Sequence, residues 1–341
     1  MPTAPAARLD LLTDVPGLIV GNAHDQDLGS GVTIVLFEQP AVASCAILGG
    51  APGSRETTAL EPEMVVEKID ALVLSGGSAF GLDAASGVQA WLRERGRGFQ
   101  VGSARVPIVP QAILFDLLNG GDKDWGRYPP YRDMAYAASN TASREFRLGS
   151  TGAGFGANTV NLRGGLGSAS AVTSGGFTVA ALVAVNALGS PIVGAGPHFW
   201  AAPWEEGSEY GGLGLPAVIT PDMRKLAWKG GPELATTLAI VATDAILTKP
   251  EAKRLAIVAH GGFARALRLS GAAFDGDTVF AASTGRKPRS AVPASDLIEI
   301  GALAADCTAR AIARGVYEAS ANELSVGPPS WQQLFAKKAS N

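Results

Sequence analysis

Histidine, cysteine and clustered charge are all scarce in this chain, which has 3 histidines and 2 cysteines among 341 residues. His24, His198 and His260 stand far apart, and no HExxH, CxxC or comparable spacing occurs, so no metal centre is expected. A Ser-His-Asp apparatus also lacks its nucleophile elbow. The nearest match, GGSAFG at 76–81, has Phe80 where the second glycine should fall. Cys45 and Cys307 are too isolated for a disulfide framework and fit packing thiols in a reducing cytoplasm. Lys and Arg number 28 against 31 Asp and Glu, net charge -3, with no basic run, which argues against nucleic acid as a partner. The longest apolar stretch, 177–196, is interrupted by Asn186, Ser190 and Pro191, and reads as a strand and loop, not a membrane span. The start, MPTAPAARLD, has no charged segment leading into an apolar core, so no secretory signal is expected and the cytoplasm is the expected location. An enzyme this poor in histidine needs another base.

What the chain has in abundance is glycine, 43 residues scattered among apolar runs, the mark of many tight turns. Leu18–Val20, Val32–Phe37 and Ser44–Leu48 read as a meander, and Ala71–Leu74 as a short buried strand. Gly76-Gly77 then leads into a helix with Phe80, Ala84, Val88, Trp91 and Leu92 on one face, ending near Gly96. A glycine turn before a helix either holds an anion or lets strand and helix pack closely. A polar loop, 119–133, leads to a helix at about 133–143. Residues 146–204 contain no Asp or Glu and should be mostly interior. Within them GAGFGA, 152–157, imitates a dinucleotide fingerprint but lacks the acidic residue that would hold a ribose. Ser168–Ser174 and Thr178–Val185 make a hairpin through Gly175-Gly176, with Asn186 closing its second strand. Thr248-Lys249-Pro250-Glu251 is a capping box opening a helix with Leu255, Ala259, Phe263 and Leu267 on one face. Phe274-Asp275-Gly276-Asp277 reads as a turn before the strand 278–282, and a last helix spans 295 to about 319.

The stretch ATTLAIVATDA, 235–245, is a strand that opens on two threonines after the loop Lys229-Gly230-Gly231-Pro232-Glu233. A threonine hydroxyl is a weak nucleophile without a neighbouring base. A free α-amino group, with a pKa of about 7.7 to 8.0, is such a base near neutrality, where lysine is not. A chain cut before Thr236 therefore gives that threonine its own proton acceptor. On these residues alone, a β-forming residue at a strand start is the simpler account of Thr236.

Taken together, several stretches resemble the DmpA-type family of self-processing aminopeptidases (L-aminopeptidase/D-amino-acid esterase-amidase), which includes the nylon-oligomer endo-hydrolases. They are LTDVPGLIVGNA at 12–23, ILGGAPGSRET at 47–57, LVLSGGSAFGLDAASGV at 72–88 and VPIVPQAILFDL at 106–117. GSTGAGFGA at 149–157, GLGSAS at 165–170, the run 236–268 and FDGDTVFAASTG at 274–285 continue the likeness, which covers roughly 12–320. The resemblance implies an α+β protein, a four-layer αββα sandwich related to the ornithine acetyltransferases. It implies a tail at 1–10, one domain over 11–325 and a peripheral tail at 326–341. Self-cleavage between Ala235 and Thr236 would yield an α chain, 1–235, and a β chain, 236–341. Thr236 is then similar to the nucleophile, Asn186 to the oxyanion donor, and Asp275 and Asp277 to the polar pair around the nucleophile. Gly77, Ser78, Gln111, Phe115 and Asn161 fall in the substrate-binding positions.

Three departures stand out. Ala235 replaces the Asn before the cut in nylon-oligomer hydrolases, which suggests slower processing. Asn161 stands where those relatives carry a lysine, and so removes a positive charge. Gln111 replaces the Glu with which aminopeptidases grip an ammonium, which relaxes N-terminal specificity. The expected substrates are small peptides, amino-acid amides or esters, or linear oligoamides, with no cofactor and no metal, in a homo-oligomer of tetrameric size. The alternatives are acyl transfer to an amine, as in the ornithine acetyltransferases, and an uncut binding protein.

Overall fold

A computed structural model describes residues 8–230, 235–287, 292–320 and 326–336. Strands β1 (Leu18–Asp25), β2 (Ser30–Ile47), β3 (Ser54–Arg55) and β4 (Lys68–Ser75) precede helix α1 (Ala84–Glu94). The small hairpin β5 (Phe99–Val101) and β6 (Ala104–Val106) is followed by β7 (Gln111–Ile113) and α2 (Tyr131–Asn140). Next come β8 (Gly165–Val172), β9 (Thr178–Asn186) and β10 (Thr236–Thr243), then α3 (Lys249–Ala259), α4 (Gly261–Ala266) and β11 (Thr278–Ser283). Helices α5 (Ala294–Tyr317) and α6 (Trp331–Phe335) finish the described chain.

Strand order is β3-β7-β4-β2-β11-β10-β9-β8, with β1 also on β2. The long β2 folds this ribbon into two layers. Its first half pairs with β1 and β4, its second half pairs with β11, and the register slips between Leu36 and Ala41, where Glu38, Gln39 and Pro40 are exposed. The apolar runs expected as two strands of a meander are therefore one bent strand. The period of two along each strand then divides the core in three. Val35, Phe37, Leu72, Leu74, Leu182, Leu238, Ile240 and Phe280 fill the space between the sheets. Ile34, Leu36, Ala71 and Val73 turn outward to α1 and α2. Val183, Ala239, Val241 and Val279 turn to α3, α4 and α5. Helix, sheet, sheet, helix: the fold is the αββα sandwich.

Local signals act where the sequence places them. Thr248 caps α3 with a complete capping box, and Gly176, at φ +81°, turns the β8–β9 hairpin. Both ends of the chain depart from the expected tails. Asp10 pairs with Arg310 and Arg314 at 2.9 Å, and Trp331 packs against Phe199 and Tyr317 as part of the helix-side core. Residues 1–7 and 337–341 lie outside the described residues. Among those described, no helix is long and apolar enough to cross a membrane.

Candidate active site at the start of β10

Strand β10 begins at Thr236, directly opposite the last residue of β9, Asn186. Alternation fixes which way each side chain points. Leu238, Ile240 and Ala242 face the space between the sheets, as do Ala180, Leu182 and Ala184 of β9. Thr236 and Asn186 continue these two rows and share that face. Thr237 takes the other face, where its buried Oγ1 has no hydrogen-bond partner. Thr236 is itself only 3% exposed.

The carbonyl of Ala235 is held from two sides. Thr236 Oγ1 donates to it at 2.6 Å and the backbone N–H of Gly276 at 2.8 Å. Gly276 comes this close because it has no side chain: a Cβ there would lie 2.4 Å from Thr236 Oγ1. The turn carrying it is clamped by the end of β2, where Ala51 N–H donates to Asp275 O, and Leu48 and Gly49 N–H to Asp277 O. Two hydrogen bonds thus polarise one peptide carbonyl, one from a backbone N–H and one from the neighbouring hydroxyl itself.

The two turn carboxylates flank this arrangement. Asp277 accepts from Thr237 N–H at 2.8 Å and from Gly271 N–H at 2.7 Å. Burial, then the neighbouring charge of Asp275, pushes its carboxyl up to about 7. Asp275 accepts from Ala272 N–H at 2.9 Å through Oδ2, and its buried Oδ1 has no hydrogen-bond partner. Burial pushes this carboxyl up as well, against the opposing pull of Ala272 N–H and Lys229. Burial thus favours the protonated form of both turn carboxyls, and Asp277 is raised to near neutrality.

Asn186 also lines a cleft of about 420 Å³ together with Phe115, Asp116, Asn158, Trp228 and Lys229. Its amide is fully oriented. Oδ1 accepts from Asn158 N–H at 2.9 Å and Lys229 Nζ at 3.0 Å, and Nδ2 donates to Phe115 O at 2.9 Å.

Of the residues singled out in the sequence, the fold brings Ala235, Thr236, Asn186, Asp275, Asp277 and Phe115 together; Asn186 and Phe115 line the cleft, whereas Ala235, Thr236, Asp275 and Asp277 are buried and are not among its lining residues. Gly77 and Ser78 form a left-handed turn at one remove: Gly77 N–H donates at 2.7 Å to Asp116, whose buried carboxylate lines the cleft. Gln111 does not reach the cleft, because its amide is buried and donates to Gly81 O at 2.6 Å while accepting from Ala85 N–H at 3.0 Å. Asn161 donates to Ser190 at 2.9 Å and is likewise off the cleft wall. The expected loss of positive charge is corrected, since Lys229 supplies one from a different segment. Lys229, Asn158, Asp116 and the Gly276 N–H are the members that sequence reasoning missed; only the DG turn at 275–276 carried a signal. The histidines are elsewhere, with His24 stacked on Phe155 and His260 bonded to Ala46 O at 3.0 Å. Burial raises the Cys45 thiol to about 11 and Cys307 to about 12, so both are inert.

Residues 10–326 match Peptidase family S58. An uncharacterized aminopeptidase of Mycobacterium tuberculosis is 39% identical over 350 residues, covering 96% of this chain and 98% of that protein. A 6-aminohexanoate-oligomer endohydrolase of an Agromyces species is 24% identical over 293 residues, covering 83% and 77%. The solved L-aminopeptidase D-Ala-esterase/amidase of Ochrobactrum anthropi, described as a prototype of the serine aminopeptidases and a new variant of the Ntn hydrolase fold, superposes with a TM-score of 0.69 at 20% identity, covering 97% of this chain and 94% of the other. The shared sandwich, the match across nearly the whole length and the full-length mycobacterial relative lead to one assignment: this chain belongs to peptidase family S58.

Proposed function

We propose that this protein is a self-processing amide hydrolase whose nucleophile is Thr236, freed as a new N-terminus by cleavage after Ala235. The observation that carries the reading is the Ala235 carbonyl, polarised by Gly276 N–H and in contact with the Thr236 hydroxyl. In maturation, Oγ1 bonds to the Ala235 carbonyl carbon, its proton passes to the Thr236 nitrogen, and the peptide C–N bond breaks to leave an ester. That shift frees the Thr236 amine, and water then hydrolyses the ester to an Ala235 carboxylate and the regenerated Thr236 hydroxyl. In turnover the amine accepts the Oγ1 proton as the hydroxyl attacks a substrate amide, and an N–H of Asn186 donates to the developing oxyanion. The leaving amine takes the proton, and water then releases the acyl group. Asp275 and Asp277 hold the ammonium and the turn that carries Gly276.

The substrates are small peptides, amino-acid amides or esters, or linear oligoamides. Support comes from the family and from the relatives named for aminopeptidase and 6-aminohexanoate-oligomer activity. The working state is a homo-oligomer. N-terminal sequencing with intact mass on wild type, Thr236→Ala and Thr236→Ser tests the reading. Wild type and Thr236→Ser should give fragments 1–235 and 236–341 and release amine from amide substrates, and Thr236→Ala should remain whole and inactive. An active, uncut wild type, or an active Thr236→Ala, would overturn it.

A further inference from the structure

The loop just upstream of the proposed cut bears on the site through Lys229. Its backbone N–H donates at 3.1 Å to Leu188 O, two residues past Asn186, so Lys229 is fastened just beyond the end of β9. From there the half-buried side chain brings Nζ to 3.0 Å from Asn186 Oδ1. The same charge opposes the upward shift of the Asp275 carboxyl. One ammonium thus acts on both sides of Thr236: on the amide opposite it in the sheet and on the carboxylate behind it.

We infer that Lys229 is a positioning residue for turnover, holding and polarising the Asn186 amide so that its remaining N–H is presented to the substrate oxyanion. The inference rests on the reading of Thr236 and Asn186 given above. Its logic is the donor and acceptor count of one amide. Asn186 has two N–H donors and one carbonyl oxygen. Two donors, Asn158 N–H and Lys229 Nζ, occupy the oxygen, and the acceptor Phe115 O takes one N–H. Reversing the amide would set its NH₂ against both donors and its oxygen against a carbonyl, so the second N–H has a single direction to point. A cation on the amide oxygen draws electron density away from the nitrogen and makes that N–H a stronger donor, and charge-assisted hydrogen bonds are roughly twice as strong as neutral ones. This action appears as negative charge develops on the substrate, so it acts on kcat more than on KM.

Lys229 also belongs to the piece that ends at Ala235. Cleavage after Ala235 must then leave Lys229 in place beside Asn186.

The test compares Lys229→Met, Lys229→Gln and Lys229→Arg on an amino-acid amide and a linear oligoamide, each preparation first checked for the fragment beginning at Thr236. Loss of a charge-assisted donor at a transition-state contact is expected to lower kcat by about tenfold or more in Lys229→Met and Lys229→Gln, with KM within about twofold, and Lys229→Arg should recover most of it. If the Met variant does not fold, the Gln and Arg variants decide on their own. Equal kcat in Gln, Arg and wild type, a loss seen only in KM, or an Arg variant as poor as Gln would overturn the inference. A wild type that is cut at Thr236 and active alongside indifferent Lys229 variants rejects this role alone. A wild type not cut there rejects the reading beneath it.

Discussion

Replacing Gly276 by alanine would put a methyl group 2.4 Å from Thr236 Oγ1 and 3.1 Å from both Thr236 Cγ2 and Ala51 O. The substitution is otherwise gentle, because Gly276 does not have a positive φ and its N–H toward Ala235 O is retained. A contact of 2.4 Å cannot persist, and restoring ordinary packing requires a displacement of about 1 Å. Ala51 O is backbone within the clamp on the 275–277 turn, so the Thr236 side chain is the part that yields. The overpacking costs about 1–3 kcal/mol of stability, which a domain of this size survives. The effect on chemistry is larger, since a misplacement of about 1 Å lowers a positioned reaction roughly 100-fold. Self-cleavage of Gly276→Ala, followed by intact mass from first synthesis in a cell-free system, should therefore lag wild type by about two orders of magnitude. Gly261→Ala is the control: its Cβ meets nothing nearer than Ala305 Cβ at 3.8 Å, and it should process at the normal rate. A Gly276→Ala chain that matures as fast as wild type would mean that the Thr236 hydroxyl does not attack from the position described.

Thr237→Val should leave processing intact and hold or raise stability by about 1 kcal/mol in urea denaturation, because it removes a buried hydroxyl without a partner. Arg310, 2% exposed, bonds Glu209, Glu206, Asp10 and Ser170 O, so Arg310→Met removes charge-assisted bonds from the half-buried Asp10 and Glu209 and should cost about 2 kcal/mol in the same assay. For pH, Asp277 holds its proton up to about 7 in the fold, above its unfolded value, so the folded chain binds more protons through that window. Stability contributed by this group is present at low pH and lost as pH rises from about 4 to about 7. Urea midpoints of uncut Thr236→Ala chains across that range should fall, and fall less when Asp275→Asn removes the neighbouring charge.

Much of the scaffold was legible because single residues enforce it. The apolar alternation after Thr236 gave β10, Gly175-Gly176 gave the β8–β9 hairpin, and Thr248 with Glu251 gave the start of α3. Where several interactions compete, the pattern misleads. Glu38-Gln39-Pro40 reads as a turn between strands but is a bend in one strand that carries it from one layer to the other. The helical face running from Leu255 to Leu267 is broken at His260 into α3 and α4. Phe80, placed by spacing on α1, sits in the preceding turn and is 52% exposed. Within the candidate site, strand β10 and the turn carboxylates carry local signals in the sequence. Lys229 does not, because a loop has no period and its partner Asn186 is 43 residues away. Gln111 misled for the opposite reason: position suggested a ligand contact, whereas burial commits its amide to the backbone.

The order of strands has a consequence for what a broken chain would look like. β10 and β11 lie side by side, with β9 on one flank and β2 on the other. A scission after Ala235 would therefore not divide the molecule into neighbouring halves. It would leave the shorter polypeptide wedged in the middle of the ribbon, zipped to the longer one along both margins. Separating the two would mean tearing two ladders and opening all the packing beneath them, so the nicked product should travel as one particle through any purification that stops short of denaturant.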